Sequence, residues 1–361
     1  MRKDAKSNRS NRIFARAGNM LTAAMGRSLL TIMTCGLLLS AAGCADQNRN
    51  VSKAAGSASA DASALEANDD LIRVGFSQLG SESVWRSANS VSIQEVLTPE
   101  NGYFLIYSNA RQKQENQIKA IRSFISQRVD YIVFSPVTED GWDTVLKEAS
   151  DAGIPVITSD RQVKTEDDSL VTAWVGGDMF LEGLKAGEWL RDHAPEQDAL
   201  NIVVLTGTEG SSAAIGRTEG FHSISDSMDN WVILEEQCGD FTMARGKEIM
   251  QYYLDTYENI DVLISQNDDM TFGAIEAMEE KGIQPGRDMI IISFDAVKEA
   301  LEMVREGRIS MDVECNPLLG PYVDELIKAM ERGEDVSHDN AVDEMVFTQE
   351  NVDEYLDTRT Y

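Results

Sequence analysis

The sequence predicts an α/β protein made of two doubly wound parallel-sheet lobes joined by a hinge. Short, continuously apolar runs recur along it, as in YIVF at 131–134, NIVVL at 201–205 and MIIISF at 289–294. Stretches of helical periodicity separate them, and strands that are apolar throughout are buried on both faces, which is the signature of parallel β-α-β units. The alternation runs through two rounds divided near Val175. Each round is long enough for its own core, which leaves a cleft between them as the natural ligand site.

In the first round, 71–77 (LIRVGFS) reads as a strand with Leu71, Ile72, Val74 and Phe76 apolar, and 85–96 as a helix with Ser83 placed to cap it. A strand at 103–107 (YFLIY) precedes a helix at 114–127, whose Ile118, Ile121 and Ile125 fall at helical spacing with Ala120 and Phe124 beside them. A strand at 131–134, a helix at 142–152 and a strand at 155–158 (PVIT) complete the round. The second round places helices at 180–193, 216–228, 242–257, 269–281 and 297–306, with strands at 201–205, 231–235, 262–265 and 289–294. The segments 318–330 and 344–348 follow and are expected to return across the hinge to both lobes. The division is thus 70–173 with about 314–343 as the first lobe, and 174–313 with about 344–361 as the second.

Charge sets limits on function. The 361 residues carry a net charge of −29, and residues 1–43 hold seven Lys or Arg and one Asp, which leaves 25 basic against 60 acidic residues in the remainder. So acidic a body argues against nucleic acid and anionic membrane surfaces as partners. The basic stretch 1–27, the short apolar segment 28–40 and the small residues Ala41, Ala42 and Gly43 before Cys44 read as a signal peptide of the lipoprotein type, although Ala41 stands where Leu is commoner. Cys44 is then the lipidation site and residues 44–69 a flexible tether, which places the protein outside the cytoplasmic membrane, anchored to its outer face or periplasmic. Of the four cysteines only Cys238 and Cys315 fall in the folded part, where free buried thiols are the default. No CxxC, Cys/His or EF-hand spacing marks a metal, and no cofactor is expected.

The informative polar residues sit where strands stop, the topological position at which open α/β sheets bind ligands. Trp85 and Arg86 follow the first strand, Asp160 and Arg161 follow PVITS, and Arg217 opens a helix after GTEGSSAA. Asp240 and Phe241 follow 231–235, Asn267, Asp268 and Asp269 follow VLISQ, and Asp295 follows MIIISF. Any one such Asp is as well explained by helix capping, and Trp85 by packing. Together they supply planar donors, carboxylate acceptors and flat apolar faces, the chemistry that holds a polyhydroxylated ring. Catalysis has little support, because Asp160 and Asp295 could pair as acid and base but no spacing singles out a nucleophile. GxxxxGK[ST] and GxGxxG are both absent, so nucleotide binding has little support either.

With these residues in place, the chain from about Leu71 onward resembles the periplasmic sugar-binding proteins of bacterial ABC importers, the ribose/galactose type, and in particular their galactofuranose-binding branch. The runs that carry the resemblance are VGFSQLGSESVWR, QKQENQIKAIRSFISQ, PVTEDGW with LKEA, GDF with GKE, and NDDM with GAI. It implies a type I periplasmic binding protein that is not an enzyme, closes on one monosaccharide per monomeric chain and docks on a membrane permease. It assigns ligand contacts to Ser83, Trp85, Arg86, Asp160, Arg161, Arg217, Asp240, Phe241, Asn267 and Asp295. A late contact falls in DVECNP on Glu314 or Cys315, with Glu314 preferred. The usual Asp-Gly after the strand ending at 294 is Asp295-Ala296 here. The implied cargo is a furanose-form hexose such as galactofuranose or fructose. A sensory receptor of the same fold is the alternative, and a DNA-binding repressor is opposed by the acidic charge and the leader.

Overall fold

The structure, a computed structural model, describes residues 70–361. The segments read as leader and tether, Cys44 included, lie outside the described residues. Two six-stranded sheets organise the described chain. The first contains β1 (Ile72–Gln78), β2 (Tyr103–Asn109), β3 (Tyr131–Phe134), β4 (Val156–Ser159), β5 (Ala173–Gly176) and, from far along the chain, β11 (Asp339–Ala341), in the order β11-β5-β4-β3-β1-β2. The second contains β6 (Leu200–Thr206), β7 (Trp231–Cys238), β8 (Val262–Ser265), β9 (Ile290–Asp295), β10 (Met311–Glu314) and β12 (Val346–Phe347), in the order β12-β10-β9-β8-β6-β7. All pairings are parallel except β10 with β12.

Both faces of each sheet are covered, which explains why β3, β4 and β8 are buried along their whole length. On the first sheet, α1 (Val84–Val96) and the late α9 (Gly320–Glu331) close one face around Ile93, Val323 and Ile327. α2 (Gln114–Gln127) and α3 (Asp143–Asp151) close the other around Ile121, Phe124 and Leu146. On the second sheet, α4 (Met179–His193) and α5 (Ser212–Ser225) cover one face. The other face takes α6 (Met243–Thr256), α7 (Asp268–Glu280) and α8 (Lys298–Glu306). Among the described residues no helix is long and apolar enough to cross a membrane.

Some expected boundaries move. The round division near Val175 and the cut at 173/174 fall inside β5, whose hydrogen bonds to β4 place it wholly in the first sheet; the chain leaves that sheet after Gly176. Glu314 ends a strand of the second sheet, so the return crossing begins at Cys315. α5 begins at Ser212 rather than at 216, because Ser211 caps it by accepting the Ala214 N–H, so Arg217 lies in its second turn.

Three crossings thus connect the halves, and Glu344 draws them together. Its carboxyl accepts the Asn316 N–H at 2.9 Å and lies so near Gly177 that a Cβ there would come within 2.3 Å of it.

Candidate functional site

β1 ends at Gln78, the turn carries Glu82 and Ser83 to the site, and Ser83 Oγ accepts the Arg86 N–H at 3.0 Å to start α1. That cap turns Trp85 and Arg86 inward, 3% exposed each. Arg86 Nη1 reaches Asp160 Oδ2 at 2.7 Å and Ser135 Oγ at 3.2 Å, and Arg86 Nε reaches Glu82 Oε1 at 3.1 Å. Burial works against the guanidinium charge, but Asp160 and Glu82 outweigh it and raise its pKa. Arg86 also lies 4.6 Å from the Trp85 ring centroid, a cation–π pairing. Asp160 itself is held at φ 67° by its N–H to Val175 O and by its carbonyl, which accepts the Trp174 indole N–H.

From the second half, α4 and α5 approach backbone to backbone at two glycines: a Cβ at Gly183 or Gly220 would come within 2.1 Å of Arg217 O or Phe180 O respectively. This contact seats Glu182 Oε2 against Arg217 Nε at 2.6 Å. Arg217 Nη1 donates to Gln266 O at 2.5 Å and Nη2 to Asp295 Oδ1 at 3.4 Å. Asp295 is held well above the ordinary carboxylate range by burial, which Arg217 offsets in part. Asn267 caps α7 through the Met270 N–H and donates to Phe241 O at 3.4 Å. Phe241, at φ 57°, lays its ring over Gly207, where a Cβ would sit 1.8 Å from the ring.

These side chains line a small cavity of about 20 Å³, room for little more than a water molecule with the side chains where they stand. The lining brings together Ser83, Trp85, Arg86, Asp160 and Arg161 from the first half, and Arg217, Phe241, Asn267 and Asp295 from the second. Two lining atoms are buried without a hydrogen-bond partner among the described residues: Arg161 Nε and Glu82 Oε2, one donor and one acceptor. Burial, with the neighbouring Arg86 charge, lowers Arg161 to about 10, so it stays charged at neutral pH, over the Phe241 ring at 5.1 Å.

Two expected contacts do not reach the cavity. Asp240 is exposed and accepts from Cys238 Sγ at 3.3 Å, because consecutive left-handed residues at 240 and 241 turn Phe241 in and Asp240 out. Glu314 points the other way along β10 and accepts from Arg359 Nη1 at 2.7 Å and Tyr361 OH at 3.1 Å; the next residue, Cys315, takes the cavity position. Burial raises the Cys315 thiol, which stays neutral. Sequence reasoning also missed Glu82 and Ala213 in the lining, and Glu182 behind Arg217. Glu82 carried a usable signal, standing four residues before Arg86 at ion-pairing distance along the chain.

Glu182, Cys315 and Glu344 bring one potential metal ligand each within 4.8 Å of one another. The guanidinium of Arg217 already serves Glu182, and burial with the neighbouring Glu182 pushes Glu344 up to about 10. Salt-bridged guanidiniums, carboxyls and two aromatic faces converging from two lobes on a small cavity define a solute-binding receptor.

The chain belongs to the periplasmic binding protein family, whose domain model matches residues 74–319. It is 41% identical over 266 residues to the galactofuranose-binding protein YtfQ of Escherichia coli, covering 73% of this chain and 83% of that protein. It is 31% identical over 293 residues to the fructose import binding protein FruE of Bifidobacterium longum, covering 80% and 88%. Among solved structures, a Mycobacterium smegmatis protein in complex with β-D-fucofuranose superposes with a TM-score of 0.77 at 42% identity, covering 80% of this chain and 95% of that one.

Proposed function

We propose that this protein is the substrate-binding component of an ABC-type sugar importer and that its cavity takes one monosaccharide in the furanose form, galactofuranose or fructose foremost. The observation that carries the reading is the cavity itself: two aromatic faces, six ionisable side chains held in salt bridges, and a buried donor and acceptor, Arg161 Nε and Glu82 Oε2, without hydrogen-bond partners among the described residues. Burying a sugar hydroxyl is costly unless water's hydrogen bonds are replaced. Arg161, Arg217, Asp160, Asp295 and Asn267 replace them, while Trp85 and Phe241 cover the apolar face of the ring.

The lobes act as the halves of a clamp. The first is 70–177 with about 316–343, the second about 178–315 with 344–361. Contacts to sugar from both halves favour the closed arrangement over the open one. The closed clamp docks on a membrane permease, and a lipid on Cys44 keeps the monomeric receptor beside it on the outer face of the membrane.

Isothermal titration of the full chain with D-galactose, D-fucose and D-fructose, each of which supplies its furanose form, tests the reading. Saturable binding of one sugar per chain supports it. Binding of none of them, alongside a melting temperature that no monosaccharide in a wider panel raises, sinks it.

A further inference from the structure

The turn that carries Asp295 into the cavity is built in an unfavourable way. Asp295 has φ 112° and Ala296 φ 56°, both in the left-handed half of conformational space that glycine adopts freely and alanine rarely. Ala296 is fully buried. Two acids, neither of which lines the cavity, grip the backbone here. Asp312 Oδ1, on β10, accepts the Ala296 N–H at 3.2 Å, and Asp268 Oδ2, on α7, accepts the Val297 N–H at 2.8 Å. Asp268 Oδ1 also accepts from Ser293 Oγ at 2.5 Å, and Ser293 Oγ lies 2.7 Å from Thr271 Oγ1. The two carboxyls face each other, both fully buried, and Asp312 Oδ2 has no donor among the described residues. Two carboxylates in contact without water or a paired cation cannot both ionise. A single proton between them gives Asp312 Oδ2 its missing partner and leaves the pair one negative charge for the two N–H groups it holds.

We propose that Asp268 and Asp312 share one proton and, as a singly charged pair, clamp the turn at residues 295–297, making them positioning residues for the ligand-contacting Asp295. This rests on the reading of the cavity as a sugar site. Burial raises both carboxyls, with the Asp312 charge the next cause for Asp268. The charged groups around Asp312 are Asp268 on α7 and Asp295 on β9, with Arg359 of the C-terminal segment pulling the other way. Around Asp295 stand Arg217, Glu182 and Asp269. Because the folded pair holds its proton far more tightly than free carboxyls do, the clamp is intact at neutral pH. It fails at alkaline pH, when the second charge drives the carboxyls apart.

The test uses the full chain titrated with D-galactose from pH 6 to 9.5, with hydrogen exchange at the 296 and 297 amides as a readout independent of sugar. The expected wild-type result is only the about twofold weakening that Asp269 contributes between pH 6 and 7.5, then at alkaline pH a fall approaching tenfold per pH unit as one proton is lost. Amide protection at 296 and 297 should fall in the same range beyond the intrinsic acceleration of exchange by base. Asp312→Asn keeps an acceptor for Ala296 and adds a permanent donor to Asp268. It should bind within threefold of wild type at pH 7 and lose the alkaline fall in both readouts. Ala296→Gly should relieve the strained turn and soften the loss. If Asp312→Asn keeps the alkaline fall, or weakens binding more than tenfold at pH 7, or if wild type is flat to pH 9.5 in both readouts, the shared proton is wrong. If the wild type binds no sugar, the cavity reading fails, and the exchange difference between wild type and Asp312→Asn still decides on the pair.

Discussion

Replacing Trp85 by alanine should damage sugar binding far more than folding. Trp85 belongs to the first half, yet its ring is buried in the hydrophobic cluster of the second, with Phe241, Ala213 and Cys315, and its Nε1–H donates to Cys315 O at 2.6 Å. Removing a buried aromatic ring costs about 3–5 kcal/mol. That loss falls on the contact between halves, because the core around β1 does not use the ring. At about 1.36 kcal/mol per decade, sugar affinity should fall by roughly two to nearly four decades. Trp85→Phe keeps an apolar face but strands the Cys315 carbonyl, at a cost of about 1–3 kcal/mol, roughly five- to 150-fold. Calorimetric titration measures the affinities, and melting of the sugar-free protein separates folding from closure. Affinity within threefold of wild type for Trp85→Ala would refute the reasoning. So would a loss that appears wholly as a lower melting temperature.

Glu182→Ala should cost about 3–5 kcal/mol of stability in urea denaturation, because it leaves the buried Arg217 guanidinium with only Asp295, at 3.4 Å, as a charged partner. Glu182→Gln keeps an acceptor and should cost less. Asp269 Oδ2 accepts the Val84 N–H from the other half at 3.1 Å, and burial raises the carboxyl to about 6. Closure therefore takes up a proton, so affinity should rise about tenfold from pH 7.5 to pH 5 and lose that dependence in Asp269→Asn when titrated at both values. Cys44→Ala should abolish incorporation of labelled fatty acid in cells and move the protein to the soluble fraction; unchanged labelling would remove the proposed anchor.

Most of the fold was legible because parallel strands covered on both sides leave uninterrupted apolar runs, as at 131–134 and 289–294. Of the strands that escaped notice, β5 is apolar and buried throughout but only four residues long, while β10 and β11 lack that signal. β11 is a three-residue segment with two exposed residues, held to β5 by backbone pairing and by the Asn340 side chain, which donates to Trp174 O, and β10 alternates because one of its side chains, Glu314, faces the C-terminal segment. The strand-end rule located Trp85, Arg86, Asp160, Arg161, Arg217, Phe241, Asn267 and Asp295 in the cavity lining. It failed where neighbouring residues compete for one position. Whether Asp240 or Phe241, Glu314 or Cys315 turns inward depends on two backbone angles that residue types alone do not determine. Glu182 was out of reach for another reason: it sits in the first turn of α4, 35 residues before Arg217, and the glycine-to-backbone contact of α4 with α5 brings the two together.

The central claim is a closed cavity specific for one furanose sugar. Titration of the full chain against D-galactose, D-fucose and D-fructose, with D-glucose as a sugar held almost wholly in the pyranose form, tests it most directly. The account predicts one-to-one binding of at least one of the first three and none of D-glucose. Equal affinity for D-glucose would contradict furanose selection, and silence toward all four would contradict the sugar site itself.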